Sequence, residues 1–100
     1  MQIRPANASD SRAIAGFIAM AESEMVHHFT GTSDPEASIP ALEKFILSPV
    51  ENRYSLDNNT IAELDGEAAG TLISFPADKQ PSLDGVLLAS HNARGYDLKE

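Results

Sequence analysis

The chain has 100 residues, 42% of them apolar and only six aromatic, which suits one small domain with a light core. Fifteen acidic against seven basic residues give a formal net charge of −8, and no stretch gathers Lys and Arg into a stripe able to follow a phosphate backbone, which argues against nucleic acid as a partner. Cysteine is absent, so disulfides, thiolate zinc sites and a cysteine nucleophile are excluded.

Residues 2–4 read as a short first strand with Ile3 inward, and Pro5, which has no amide hydrogen, ends its pairing. Asn7 then caps a helix whose third position is Asp10, a relative of the capping box that also sets negative charge at the positive helix end. Ile14, Phe17, Ile18, Ala21 and Met25 recur at spacings of three and four, which predicts one continuous first helix from about Ala8 with an apolar stripe against a sheet. Residues 27–33 lose that period and read as a loop. Asp34-Pro35 looks like a second start, but Pro40 would cost an internal hydrogen bond, so the better-formed part of the second helix is expected from about Ser38. Its buried side is Ile39, Leu42 and Ile46, helped by Phe45, and Ser48-Pro49 ends it.

Residues 50–59 carry Asn and Asp punctuation around an isolated Tyr54. A hairpin follows: an extended run ending in Ala62-Glu63-Leu64, the turn Asp65-Gly66, then a second run through Gly70, Leu72, Ile73 and Phe75. Both residues of such a turn need positive φ, which Asp and Gly tolerate. Apolar residues on both faces of the second run suggest a strand covered by helices, and Pro76 stops it. Beyond a polar segment, Leu83, Val86, Leu87 and Ser90 hint at a short helix in an otherwise irregular or weakly helical tail, residues 77–100. The whole reads as one α/β domain, residues 1–100: a short first strand, two helices, an antiparallel hairpin and the tail. Its longest apolar runs fall far short of a membrane span, and no basic region precedes an apolar one at the N-terminus, so a cytoplasmic location is expected.

Strand, capped helix, second helix and hairpin in this order resemble the N-terminal part of the GNAT superfamily of N-acetyltransferases. The likeness covers about residues 2–76 and is carried by Ile3-Arg4-Pro5-Ala6 with Asp10 and Ile14, and by Ala62-Glu63-Leu64-Asp65-Gly66-Glu67 with Gly70, Leu72 and Ile73. It implies a partial GNAT-like fold and, in a complete member, acetyl transfer from acetyl-CoA to an amine. The superfamily holds that cofactor on a fourth strand and the helix after it, through a loop of the form Arg/Gln-x-x-Gly-x-Gly/Ala. Closely spaced glycines let backbone amides approach a diphosphate there, and the helix N-terminus adds positive potential. The six glycines of this chain are Gly16, Gly31, Gly66, Gly70, Gly85 and Gly95, and no two are separated by a single residue. Arg94-Gly95 has too little chain after it to be that loop. The resemblance therefore implies no cofactor-binding residue in this chain and no catalysis by it in isolation. What it retains is part of the acceptor-side wall, formed by the two helices and the loop between them. The acceptor of the transfer would be a small amine, toward which the acidic surplus is favourable, although acidity is also an ordinary route to solubility.

Three groups of side chains merit comparison with plainer roles. Glu63, on a strand beside an apolar run, is placed to accept a proton from an amine if its pKa is raised, or else to face solvent or pair with a neighbour. His27 and His28, with Glu24 one turn before His28, offer imidazole and carboxylate to a metal, but adjacent histidines cannot share a helix face and a zinc site wants three or four ligands. His near a helix end is favoured by the helix dipole alone, and nothing connects His91 to the pair. Tyr54 and Tyr96 sit in no motif that assigns them a role, and no Gly-x-Ser-x-Gly elbow is present. The alternative to an acetyltransferase portion is a non-catalytic binding or regulatory module. With no later strand beside it, the second hairpin strand offers unpaired backbone groups to a second copy or to a complementary C-terminal half.

Overall fold

In the computed structural model the described residues are 1–32 and 34–93, with the side chains of residues 23, 28, 29 and 87–93 left out of the description. Three strands, β1 (Gln2–Pro5), β2 (Asn59–Leu64) and β3 (Glu67–Ile73), form an antiparallel sheet in the order β1-β2-β3. The helices are α1 (Ser11–Ala21), α2 (Ser23–Thr30), α3 (Pro35–Leu47) and α4 (Gln80–Ala93), with single 3₁₀ turns at Ala8–Asp10, Leu56–Asn58 and Ala77–Lys79. The core gathers Ile14, Ala15 and Ile18 of α1, Val26 of α2, Leu42 and Ile46 of α3, Tyr54 and Ile61, all buried.

The sheet shows one side to this core and the other to solvent. Arg4, Ile61 and Thr71 lie opposite one another across the three strands, so the alternation of side chains carries Arg4 inward and Ile3 outward. Ile3 is 65% exposed, which corrects the expectation drawn from its hydropathy. Pro5 remains in β1 opposite Thr60, as an edge strand permits. Leu72 is 64% exposed, so β3 is covered on one face only and the inference of helices on both sides fails for the described residues. The Asp65-Gly66 turn is as expected, with φ of 53° and 81°. Gly66→Ala should destabilise the hairpin by about 1 to 3 kcal/mol, because the left-handed backbone strains any Cβ, and urea unfolding would measure it. Between the turn and the inner rows the register steps by one residue: Ala62 faces Gly70 but Glu63 faces Ala68, leaving Ala69 as a bulge.

The first helix does not run on as its stripe suggests. It breaks at Glu22 (φ −130°, ψ 43°), and α2 restarts the period one residue out of phase. Val26 becomes the buried residue, while Met25 is 38% exposed and Ala21 is exposed. Residues 27–30, expected to be loop, complete α2, which Gly31 ends at φ 80° with its amide donating to the His27 carbonyl. Helix α3 starts at Pro35, not near Ser38: Asp34 caps it by accepting from the Glu36 amide. Pro40 is accommodated because it is exposed, as is Glu36, whose carbonyl loses its helical partner. In the tail, α4 is longer than the hint suggested. It buries Leu83, packs against α2 and is tied to the segment before β2 by Arg53, which donates to both Asp84 oxygens at 2.8 Å.

Candidate functional site: the cleft between α1 and β3

Glu63 lies in a cluster at the opposite end of the sheet from the segment that holds Tyr54. Its Oε1 accepts from Arg4 Nε at 2.7 Å, and the other two guanidinium nitrogens fork onto Asp10 at 2.8 and 2.9 Å. Asp10 also accepts from the Asn7 amide while Asn7 Oδ1 accepts from the Ser9 amide, the capping box anticipated for this helix start. Hydrogen bonding to Arg4 holds the Asp10 carboxyl below its ordinary range, against the effect of its burial. The same bonds raise the Arg4 guanidinium. Glu63 is thus engaged in a half-buried ion pair. A carboxylate depressed on folding stabilises above its unfolded pKa, near 3.9, and loses that contribution as pH falls through the folded value. Thermal unfolding followed from pH 6 to about pH 2 should therefore lose stability on the acid side, and Asp10→Asn should flatten that limb while lowering the neutral plateau.

Glu24 and His27 are exposed on α2, and the described residues contain no group of three His, Asp or Glu side chains able to hold a metal ion. The side chains of His28 and His91 lie outside the described set, as do Arg94, Gly95 and Tyr96. Among the described residues, the structure assembles no metal site from Glu24 and His27.

It does assemble one around Glu22 and Tyr54. Four buried polar residues, Asn52, Ser55, Asn58 and Asn59, fold the segment before β2 back on itself. Asn52 donates to the Phe45 and Val50 carbonyls and accepts from the Tyr54 amide, while Asn59 donates to the carbonyls of Tyr54 and Ser55 and accepts from Thr71. This scaffold drives the Tyr54 ring into the core with no exposure, and its hydroxyl emerges to donate to Glu22 Oε1 at 3.2 Å. Burial first, and then the Glu22 charge, push the phenol pKa well up, so it stays a donor. Glu22 lines a cleft of about 260 Å³ with Phe17, Ile18 and Ala21 of α1 and Thr71, Leu72 and Ile73 of β3. The break that places Glu22 at its mouth was legible only as the polar residue interrupting the stripe between Ala21 and Met25. A second cleft of about 540 Å³, at the C-terminal end of α3, shares no lining residue with the first. It is lined by Leu47, Glu51, Asp57 and Lys79 among others, with Lys79 and Glu51 4.0 Å apart.

No protein-family model matches the sequence, and no curated protein does either. Solved structures do. A crystal structure of an acetyltransferase superposes with a TM-score of 0.75 at 26% identity, over 97% of this chain and 51% of its own. The crystal structure of an N-acetyltransferase from Staphylococcus aureus Mu50 follows at 0.74 and 18% identity, over 89% of this chain and 48% of its own. The chain has a GNAT-like N-acetyltransferase fold. It spans about half the length of each of these proteins. In this GNAT-like fold the short first strand, the helices and the antiparallel hairpin agree with the α/β architecture expected from the sequence. The described residues do not fit the diphosphate of acetyl-CoA. Their two positive-φ glycines, Gly31 and Gly66, serve a helix end and the hairpin turn, and neither opens a helix. No described helix is long and apolar enough to cross a membrane.

Proposed function

We propose that this chain is the N-terminal, acceptor-side portion of a cytoplasmic GNAT-like N-acetyltransferase, which in complete form moves an acetyl group from acetyl-CoA to a small amine. The observation that carries this reading is the match over 97% of the chain to only 51% of an acetyltransferase. Alone, the chain supplies the α1–β3 cleft and, among the described residues, no cofactor cradle, and we expect it to be inactive. Calorimetric titration of the chain with acetyl-CoA should give no saturable heat, and micromolar binding would overturn that statement. Joining the chain to whatever its gene encodes after Glu100 should restore binding, provided that segment carries Arg/Gln-x-x-Gly-x-Gly.

A second reading is favoured by the sheet itself. β3 ends the sheet with its outer backbone groups unpaired by any described strand, beside an outward face bearing Ile3, Leu64 and Leu72, the last 64% exposed. A non-catalytic module would associate through this edge, with a second copy or a complementary half. Light scattering that shows a monomer at concentrations of roughly tens of micromolar would count against self-association.

A further inference from the structure

We propose that the cleft between α1 and β3 binds small organic dications of the diamine type, with Glu22 holding the ammonium that does not react. This rests on the acetyltransferase reading and narrows it from an amine to an amine with a second cationic nitrogen.

The geometry of the carboxylate is the starting point. The buried Tyr54 hydroxyl fixes one Glu22 oxygen, and the other receives no hydrogen bond among the described residues. Arg53, the cation that shares this neighbourhood electrostatically, is already forked onto Asp84 at 2.8 Å through two nitrogens. An oriented anion with one oxygen unclaimed by any described residue therefore faces the cleft. The walls behind it are Phe17 and Ile18 on one side and Ile73 on the other, with Leu72 contributing its backbone while its side chain faces outward, which suits methylene groups better than a sugar or a peptide backbone. The volume, about 260 Å³, lies below the roughly 300 to 1,000 Å³ typical of drug-sized ligands, so the occupant is short. A net charge of −8 draws cations to this surface from a distance.

The chemistry then decides which nitrogen is held. A carboxylate beside an ammonium raises the ammonium's pKa and keeps it protonated. A protonated nitrogen has no lone pair with which to attack an acyl carbon, so Glu22 is an anchor and not a base. The nitrogen available to react must lie further along the stem, away from the acid. A ligand with one nitrogen would bind in an unreactive form; one with two is held by the first and presents the second.

The test uses the 100-residue chain, amide and methyl NMR, and three probes of equal stem length: 1,4-diaminobutane, butylamine and 1-butanol. Saturable shifts at residues 17–22 and 71–73 are expected for both amines, with affinity about tenfold above that for the alcohol. Glu22→Gln, at a half-buried position where the amide oxygen can still accept from Tyr54, should weaken both amines about tenfold and leave 1-butanol unchanged, and Glu22→Asp should restore part of the loss. Equal affinities for amine and alcohol, indifference to Glu22→Gln, or shifts centred on the larger cleft near Lys79 would each overturn the proposal. In the completed protein, efficient acetylation of butylamine with no preference for the diamine would sink this inference and leave the acetyltransferase reading intact. Glu22-dependent diamine binding in a protein that acetylates no amine would do the reverse.

Discussion

Tyr54→Ala is expected to cost about 3 to 5 kcal/mol, the range for emptying a fully buried aromatic site. Against the roughly 5 to 15 kcal/mol that holds a typical domain folded, such a loss removes from about a fifth to all of the margin. Tyr54 is the largest of the fully buried side chains and sits where α1, α3 and the sheet converge. Its hydroxyl adds a smaller contribution through Glu22, so Tyr54→Phe should lose only about 1 kcal/mol. Urea unfolding of the two variants by far-ultraviolet circular dichroism separates packing from the hydrogen bond. A near-native midpoint for Tyr54→Ala would mean that the ring does not organise the core.

Asn59→Leu is expected to be nearly as damaging, for the opposite reason. Leucine has about the right volume, but Asn59 answers two buried carbonyls, of Tyr54 and Ser55, and accepts from the Thr71 hydroxyl. Each polar group left buried without a partner costs about 1 to 3 kcal/mol, so the total should reach roughly 3 kcal/mol or more. The double variant Asn59→Leu, Thr71→Val should recover only a small part of it, because the half-buried Thr71 hydroxyl keeps a second acceptor in the Thr60 carbonyl at 3.3 Å. The same unfolding measurement reads both, and full additivity of the two substitutions would contradict the coupling.

What the sequence made legible is what local chemistry decides. The cap at Asn7 with Asp10, the stop at Ser48 and the positive-φ turn at Asp65-Gly66 each depend on a few neighbouring residues, and each is where the sequence placed it. The errors fall where distant partners decide. Ile3 lost the inward position to Arg4 because the guanidinium is answered by Asp10 and by Glu63, a residue 59 positions away. The helix breaks at Glu22 under no local stop signal, where a hydroxyl from 32 positions further along reaches the carboxylate. Tyr54 looked isolated because its company is a set of asparagines and serines whose hydrogen bonds form only once β2 is in place. Of the candidate cleft, the sequence offered the apolar walls and not the acid at its mouth. Glu63, which it offered instead, meets Arg4.

The extra alanine at position 69 acts as an expansion joint. The tight turn matches Leu64 to Glu67, while the inner rows match Asn59 to Ile73, and these two frames differ by one residue that Ala69 absorbs. Removing Ala69 would merge the frames and keep every inward side chain inward, at the cost of some local twist. Removing Thr71 would instead exchange inside for outside at the strand's end, presenting Leu72 to the core and withdrawing Ile73 from it. Length changes in this hairpin are therefore forgiven or ruinous according to position.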